Sequence, residues 1–267
     1  MFKNGSIPWF QLFKYAIYIL LGINCVQYFL QDYRASLISN GLGLAAFSAS
    51  VDTFMWLVLL ITFELETYVL DDYVVRKFKW LFKTLFFICY MILIYTFYGY
   101  MSKYIWTLDF SPVTGGDPVK DFIGYSWLQE LDEFIRITQD NAEILTASTD
   151  LLINKHDHIL TDGSALNYTR YQALADVFNA AAWLFIVCIL EIDVWLKLKN
   201  RFKGVIKTVS GFLKIAGYAV LLAAAVFWAY NGLLLDFWDA FLWIVAFVFI
   251  EMNLIQWKPK PETLAPG

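Results

Sequence analysis

Long apolar runs alternate with short polar segments along most of this chain. Each run is close to the roughly 20 residues that cross a bilayer as a helix. The pattern predicts an all-α polytopic membrane protein with six transmembrane helices. The predicted spans cover residues 9–30, 52–70, 80–100, 176–196, 208–229 and 238–257.

The spans share a spacing of lysine, tryptophan and glutamate that indicates an internal repeat. An aromatic-or-leucine pair precedes a lysine near the start of each odd-numbered span, and in each even-numbered span a glutamate follows a tryptophan by eight residues. We therefore predict three repeated helical hairpins, although lysine, tryptophan and glutamate are also enriched at helix ends in any membrane protein. The repeated residues are Lys14, Lys83 and Lys214, then Trp56, Trp183 and Trp243, and finally Glu64, Glu191 and Glu251.

The second hairpin carries an insertion, which divides the chain into three predicted regions. These are helices 1–3 in residues 1–100, an extracytoplasmic insertion in 101–175, and helices 4–6 with a cytoplasmic tail in 176–267. Apolar residues in the insertion recur at steps of three and four, which predicts an amphipathic helix with one apolar seam. A second helix is expected to begin near Leu166 and to run into the fourth span. Together the two helices would form an extramembrane helical hairpin. Its apolar seam is our candidate partner-docking surface and consists of Leu128, Leu131, Ile135, Leu145 and Leu152.

Composition supports the membrane class, since 60% of the residues are hydrophobic and 16% are charged. Mean hydropathy is +0.56. Lysine and arginine cluster between alternate spans, as in the segments 76–83 and 197–207, which predicts that both termini are cytoplasmic in the cell (inner) membrane. These cations are expected to face anionic lipid headgroups, with no role in nucleic-acid binding. The first run lacks a small-residue cleavage site and is interpreted as a retained span.

The repeated charges permit two interpretations. An ionisable group inside a span is a functional candidate, and three glutamates around a pseudo-threefold axis would suit a cation or proton pathway. Helix geometry instead places each lysine at the depth of a glutamate, which suggests salt bridges that hold the helices together. No polar column extends outward from the glutamates. The pairs expected from this geometry are Lys14 with Glu64, Lys83 with Glu191, and Lys214 with Glu251.

Aspartates stand near the outer starts of the even-numbered spans, at Asp52, Asp176 and Asp239. Helix capping and the helix dipole explain them. The sequence contains no nucleotide-binding loop, zinc-protease motif or nucleophile elbow, so we predict a protein that is not an enzyme and that has no cofactor. His156-Asp157-His158 holds the two histidines of the chain, and the pattern leaves metal binding open because a site needs further ligands.

These patterns favour a non-enzymatic integral membrane subunit that packs with a partner's helices or with further copies of itself. Docking of a partner would occur through the inserted hairpin. The alternative is a cation or proton channel or transporter that uses the pseudo-threefold Glu/Lys layer near the cytoplasmic face.

Overall fold

A computed structural model describes residues 9–37, 47–66, 70, 72–114, 121–143, 145, 150–199 and 201–256. About 75% of these described residues are helical. Within the described residues the helices are α1 (Trp9–Ser36), α2 (Ser48–Glu64), α3 (Asp72–Lys77), α4 (Lys79–Trp106), α5 (Gly163–Leu198), α6 (Val205–Tyr230) and α7 (Leu234–Gln256).

Four of these helices, α1, α4, α5 and α6, are long and apolar enough to cross a membrane. The 28 residues of α4, for example, extend about 42 Å at 1.5 Å per residue. The 17 residues of α2 extend only about 26 Å, slightly less than the roughly 30 Å hydrocarbon core. The predicted membrane class therefore agrees with the fold.

Between α4 and α5 lies a five-stranded sheet, here called the β-domain. Its strand order is β1-β4-β5-β2-β3. Neighbouring strands are antiparallel except β2 and β5, which are parallel. The strands are β1 (Ser111–Pro112), β2 (Ser126–Glu130), β3 (Glu133–Arg136), β4 (Leu151–Asn154) and β5 (Ile159–Asp162).

The predicted amphipathic helix in the insertion is wrong. Residues 126–136 instead form the β2–β3 hairpin, which turns at Leu131 and Asp132. Asp132 has a φ of 65°, a left-handed conformation that aspartate tolerates and that a continuous helix excludes. Hydrophobic residues also recur every three or four positions here because two short strands are joined by a turn.

The second helical prediction in this region is confirmed. Helix α5 runs without interruption from Gly163 through the fourth predicted span to Leu198. Asp162 caps its start, since its Oδ1 accepts hydrogen bonds from the Ser164 hydroxyl at 2.5 Å and the Ala165 amide at 2.8 Å. Burial raises the pKa of Asp162, but these bonds and one from the Ser164 amide outweigh it, so its pKa lies below the ordinary value.

The β-domain has a small core of its own, formed by Trp127, Ile137, Leu145, Ile153 and Leu160. The helices bury the repeated tryptophans Trp56, Trp183 and Trp243, each less than 8% exposed.

Contacts divide the chain into two compact units. One comprises residues 1–24 and 182–267, and the other comprises residues 25–181, which include the β-domain. In the first unit, α5 and α6 approach closely where Gly217 faces Ile186, and a Cβ on Gly217 would lie 2.7 Å from Ile186 Cγ1. Such small residues allow membrane helices to pack at short range.

Candidate functional site

The structure describes the side chains of five of the six residues in the predicted Lys–Glu layer. Lys14 and Glu64 are buried, 4% and 6% exposed, whereas Lys83 and Glu191 are exposed. The Glu251 side chain lies outside the part of the chain that the structure describes. The three proposed pairs therefore stay predictions.

Lys214 has a carboxylate partner that the repeat analysis did not assign to it. Its Nζ lies 3.3 Å from Oδ2 of Asp193, two residues beyond Glu191. The Ser210 hydroxyl donates to the same oxygen at 2.6 Å. Asp193 is buried, so this ion pair neutralises a carboxylate between α5 and α6.

The predicted docking seam does not form one surface. Leu128 and Leu145 are fully enclosed in the β-domain, at 0% and 1% exposed, and Leu131 and Leu152 are half-buried. Ile135, on β3, remains 37% exposed. The seam was predicted from helical spacing, and it is lost because three of its residues lie on three different strands.

The second unit contains a buried group of charges that sequence reasoning missed, here called the Lys103 cluster. It consists of Lys103 near the end of α4, Asp32 near the end of α1, Asp132 in the β2–β3 turn and Asp176 in α5. Lys103 Nζ donates to Asp132 Oδ2 at 2.7 Å, and the Lys103 side chain is 2% exposed. Its ammonium also interacts electrostatically with Asp32 and Asp176.

Each carboxylate of the cluster comes from a different element. Asp32 is 2% exposed, and its Oδ2 accepts a 2.8 Å hydrogen bond from the Ser50 amide at the start of α2. The Asp132 side chain is 12% exposed, and its Oδ1 has no hydrogen-bond partner among the described residues. Asp176 is half-buried. The Lys103–Asp132 pair thus joins the turn of the β-domain to α4, and Lys103 also interacts electrostatically with Asp32 of α1 and Asp176 of α5.

Two further contacts join the β-domain to its supporting helices, and a third joins α5 to the end of α4. Trp106 Nε1 donates to Asp157 Oδ2 at 2.6 Å. The Leu131 amide donates to Gln172 Oε1 of α5 at 2.9 Å. Arg170 of α5 binds the backbone oxygen of Thr107, at the end of α4, through two nitrogens at 3.1 and 3.2 Å. The β-domain is therefore held to α4 and α5 by contacts additional to the Lys103–Asp132 pair.

Asp52 and Asp239 do not cap their helices as expected. Asp52 Oδ1 accepts a 2.8 Å hydrogen bond from the Thr96 hydroxyl of α4, and α2 begins without a side-chain cap. Asp239 lies five residues inside α7 and accepts a 3.1 Å hydrogen bond from Asn24 of α1. Both aspartates thus link neighbouring helices.

His156-Asp157-His158 is the tight turn between β4 and β5. Asn154 Oδ1 accepts bonds from the amides of His156 and Asp157, and His158 adopts a φ of 57°. The His156 ring lies 2.9 Å from Asp157 Oδ1. This hydrogen bond, together with the negative charge of Asp157, raises the pKa of His156. Across the described ranges no three His, Cys, Asp or Glu side chains are grouped so as to hold a metal ion.

A sequence signal for the Lys103 cluster did exist. Asp32 and Lys103 are isolated, opposite charges that follow the predicted outer ends of two spans by two and three residues. Asp132 could not be recognised in the same way, because it was assigned to the apolar helix. No family model matches the chain, and neither curated proteins nor solved structures show significant similarity to it.

Proposed function

We propose that the protein is a non-enzymatic integral membrane subunit that docks a partner through the β-domain. In this proposal six helices cross the cell (inner) membrane as three degenerate hairpins, with both termini cytoplasmic and the β-domain on the opposite side. The observation that supports it most directly is the firm attachment of the β-domain to the helices through the Lys103 cluster.

Firm attachment matters because a docking module must transmit force or position to the membrane helices. A turn held only by exposed side chains would move independently, since surface ion pairs contribute about 0–1 kcal/mol. The Lys103–Asp132 pair is instead almost completely enclosed. The effect of a partner that binds the β-domain would therefore be transmitted to α1, α4 and α5.

The exposed edge of the sheet supplies a suitable docking surface. Strand β3 ends the strand order and pairs with β2 alone among the described strands. Its Glu133, Ile135 and Arg136 side chains are exposed. The opposite edge, β1, is two residues long and contains Pro112, which has no amide hydrogen to donate. Strand addition at β3 is thus the favoured mode of docking.

Two matched substitutions test this proposal. Ile135→Lys places a charge on the β3 edge, a feature by which proteins prevent strand addition. Ile123→Lys is the control, because Ile123 is 40% exposed in the same domain but lies outside the strands. Protein is extracted from native membranes in mild detergent, and the size of the complex is measured on native gels.

We expect wild-type protein and the Ile123→Lys variant to run as a complex larger than the 31.0 kDa chain. The Ile135→Lys variant should lose most of that complex. Extraction of two differently tagged copies distinguishes self-association from a foreign partner. The proposal fails if the wild-type protein is a monodisperse monomer, or if the two variants retain equal amounts of complex.

A second candidate function is cation or proton translocation. It is favoured by charged side chains on the helices themselves, namely Asp32, Lys103 and the Asp193–Lys214 pair, because such groups often mark ion pathways. Reconstituted liposomes should then show a proton, sodium or potassium flux that falls with Glu191→Gln or Asp193→Asn. Absence of flux under gradients of all three ions, over a range of pH, would eliminate this candidate.

A further inference from the structure

The segment that joins α5 to α6 concentrates positive charge, and residues 197–207 are here called the basic turn. It holds four lysines and one arginine within eleven residues, and no aspartate or glutamate stands in the chain between Asp193 and Asp236. Four of the five cationic side chains are exposed, and Lys197 is half-buried. The five residues are Lys197, Lys199, Arg201, Lys203 and Lys207.

The basic turn connects two helices that are each long and apolar enough to cross a bilayer. The first of these apolar stretches ends at Lys197 and the second begins at Val205. A short turn between two such spans lies at a membrane surface, whichever face that is. Lys199 Nζ lies 3.8 Å from the centroid of the Trp195 ring, and Trp195 is 52% exposed. Because exposed tryptophans of membrane helices lie at headgroup level, this contact holds the ammonium at the depth of lipid phosphates.

The start of α6 adds to this positive potential. The first turn of a helix carries a partial positive charge, beside which acidic residues are favourable and lysines are unfavourable. The first turn of α6 contains no acidic residue, whereas Lys203 precedes the helix and Lys207 lies within that turn. An anion bound here would therefore offset repulsion among the chain's own positive groups.

A second basic segment of the chain shows that membrane orientation does not require such an excess. Residues 64–83 contain four lysines or arginines and four aspartates or glutamates, so their formal charge is 4 − 4 = 0. Orientation depends on the lysines and arginines, and acidic neighbours contribute little to it. Residues 194–235 instead have a formal charge of +6, of which Asp193 offsets that of Lys214. The uncompensated charge of the basic turn therefore calls for a separate explanation.

We propose that the basic turn is a binding site for the phosphate group of an anionic membrane lipid. Its exposed cations bind the headgroup, and an exposed apolar face of α6 contacts the acyl chains. That face consists of Ile206, Val209 and Leu213, which recur at steps of three and four and are 37–49% exposed. A free phosphate ion has the same charge but no apolar part, so this face favours a lipid. The site is independent of partner docking at the β-domain.

Native mass spectrometry of the full-length protein in detergent measures lipid binding directly. Phosphatidylglycerol is the anionic lipid, and phosphatidylcholine with the same acyl chains is the zwitterionic one. The test variant combines Lys199→Gln with Lys203→Gln. The matched control combines Lys77→Gln with Lys79→Gln, since these are exposed lysines of the segment 64–83. A third variant, Lys199→Arg with Lys203→Arg, keeps the charge of the basic turn.

We expect the wild-type protein to bind phosphatidylglycerol more tightly than phosphatidylcholine. Loss of Lys199 and Lys203 should weaken the binding of phosphatidylglycerol roughly 30-fold, as expected for two basic residues near an anionic headgroup. The control and the arginine variant should keep the wild-type affinity, and inorganic phosphate at matched ionic strength should not displace the lipid.

Four results would each overturn the proposal. They are a wild-type protein without preference for the anionic lipid, equal losses of affinity in the two glutamine variants, an equal loss in the arginine variant, and displacement of the lipid by inorganic phosphate. The last result would indicate a site for a free anion.

Hydrogen exchange on the wild-type chain provides an answer that does not depend on whether the variants fold. The amides of residues 201–207 should be more protected in phosphatidylglycerol bilayers than in phosphatidylcholine bilayers. Residues 77–83 serve as the internal reference, because they belong to the segment whose charges balance. An equal change in the two segments would show only general attraction to an anionic surface and would refute a site at the basic turn.

Discussion

Replacement of Lys103 by methionine is the most direct test of the attachment between the β-domain and the helices. Methionine keeps an unbranched stem of similar length and removes the ammonium that donates to Asp132 at 2.7 Å. The substitution therefore leaves the packing of α4 largely intact. It also removes the cation that offsets the charges of Asp132 and Asp32.

The expected magnitude follows from the burial of both partners. Removal of one member of a buried ion pair costs about 3–5 kcal/mol, chiefly because the other charge stays buried and unpaired. Lys103 is 2% exposed and Asp132 is 12% exposed, so solvent screening reduces this value only slightly. A loss of about 3 kcal/mol corresponds to a more than 100-fold change in the unfolding equilibrium.

The assay is reversible unfolding of the detergent-solubilised protein, combined with proteolysis of the β-domain. Lys155→Met is the control, because Lys155 is an exposed lysine of the same domain. Lys103→Met should lose about 3 kcal/mol and make the β-domain more susceptible to protease, whereas Lys155→Met should change stability by less than about 0.5 kcal/mol.

A double substitution shows whether the loss arises from the ion pair itself. Asp132→Asn introduces an asparagine, which also tolerates the observed φ of 65°. Lys103→Met with Asp132→Asn removes one cation and one anion together, so it should be less destabilising than the sum of the two single changes. Equal stability of Lys103→Met and Lys155→Met would refute our account of the cluster, as would simple additivity in the double variant.

Two further predictions concern other parts of the molecule. Gly217→Ala should reduce the free energy of unfolding by about 1–3 kcal/mol, because the new methyl group meets Ile186. Gly211→Ala on the same helix is the control, since its methyl group enters open space and should cost nothing. Equal effects of the two changes would contradict the packing of α5 against α6. The pKa of the His156 imidazole should lie above its ordinary value of 6.5. The stabilising contact with Asp157 is therefore complete at acid pH and is lost as pH rises through the raised pKa. NMR titration checks this, and an unchanged midpoint in Asp157→Asn would be the contrary result.

The membrane helices illustrate what local sequence can predict. A helix such as α4 satisfies its own backbone hydrogen bonds, so an apolar run of sufficient length indicates a span without knowledge of its neighbours. The uninterrupted continuation of the second inserted helix into the fourth span, both within α5, was also predicted.

The β-domain illustrates where that reasoning ends. Short strands such as β2 and β3 depend on partners elsewhere in the sheet, so the spacing of Leu128, Leu131 and Ile135 alone did not distinguish them from a helix. A hairpin interpretation required recognition of the turn at Asp132. Leu145 and Leu152 consequently belong to the β-domain and not to an exposed helical seam.

Charge pairing required the tertiary structure for a related reason. The sequence by itself determined the membrane class, the long helices and the presence of charges at helix ends, because these depend on composition and on contacts within one helix. It did not determine that Lys214 pairs with Asp193 or that Lys103 is surrounded by Asp32, Asp132 and Asp176. Asp193 and Asp132 come from elements separate from those of their lysines, and only the packing of the chain brings each pair within the few ångströms over which an ion pair forms.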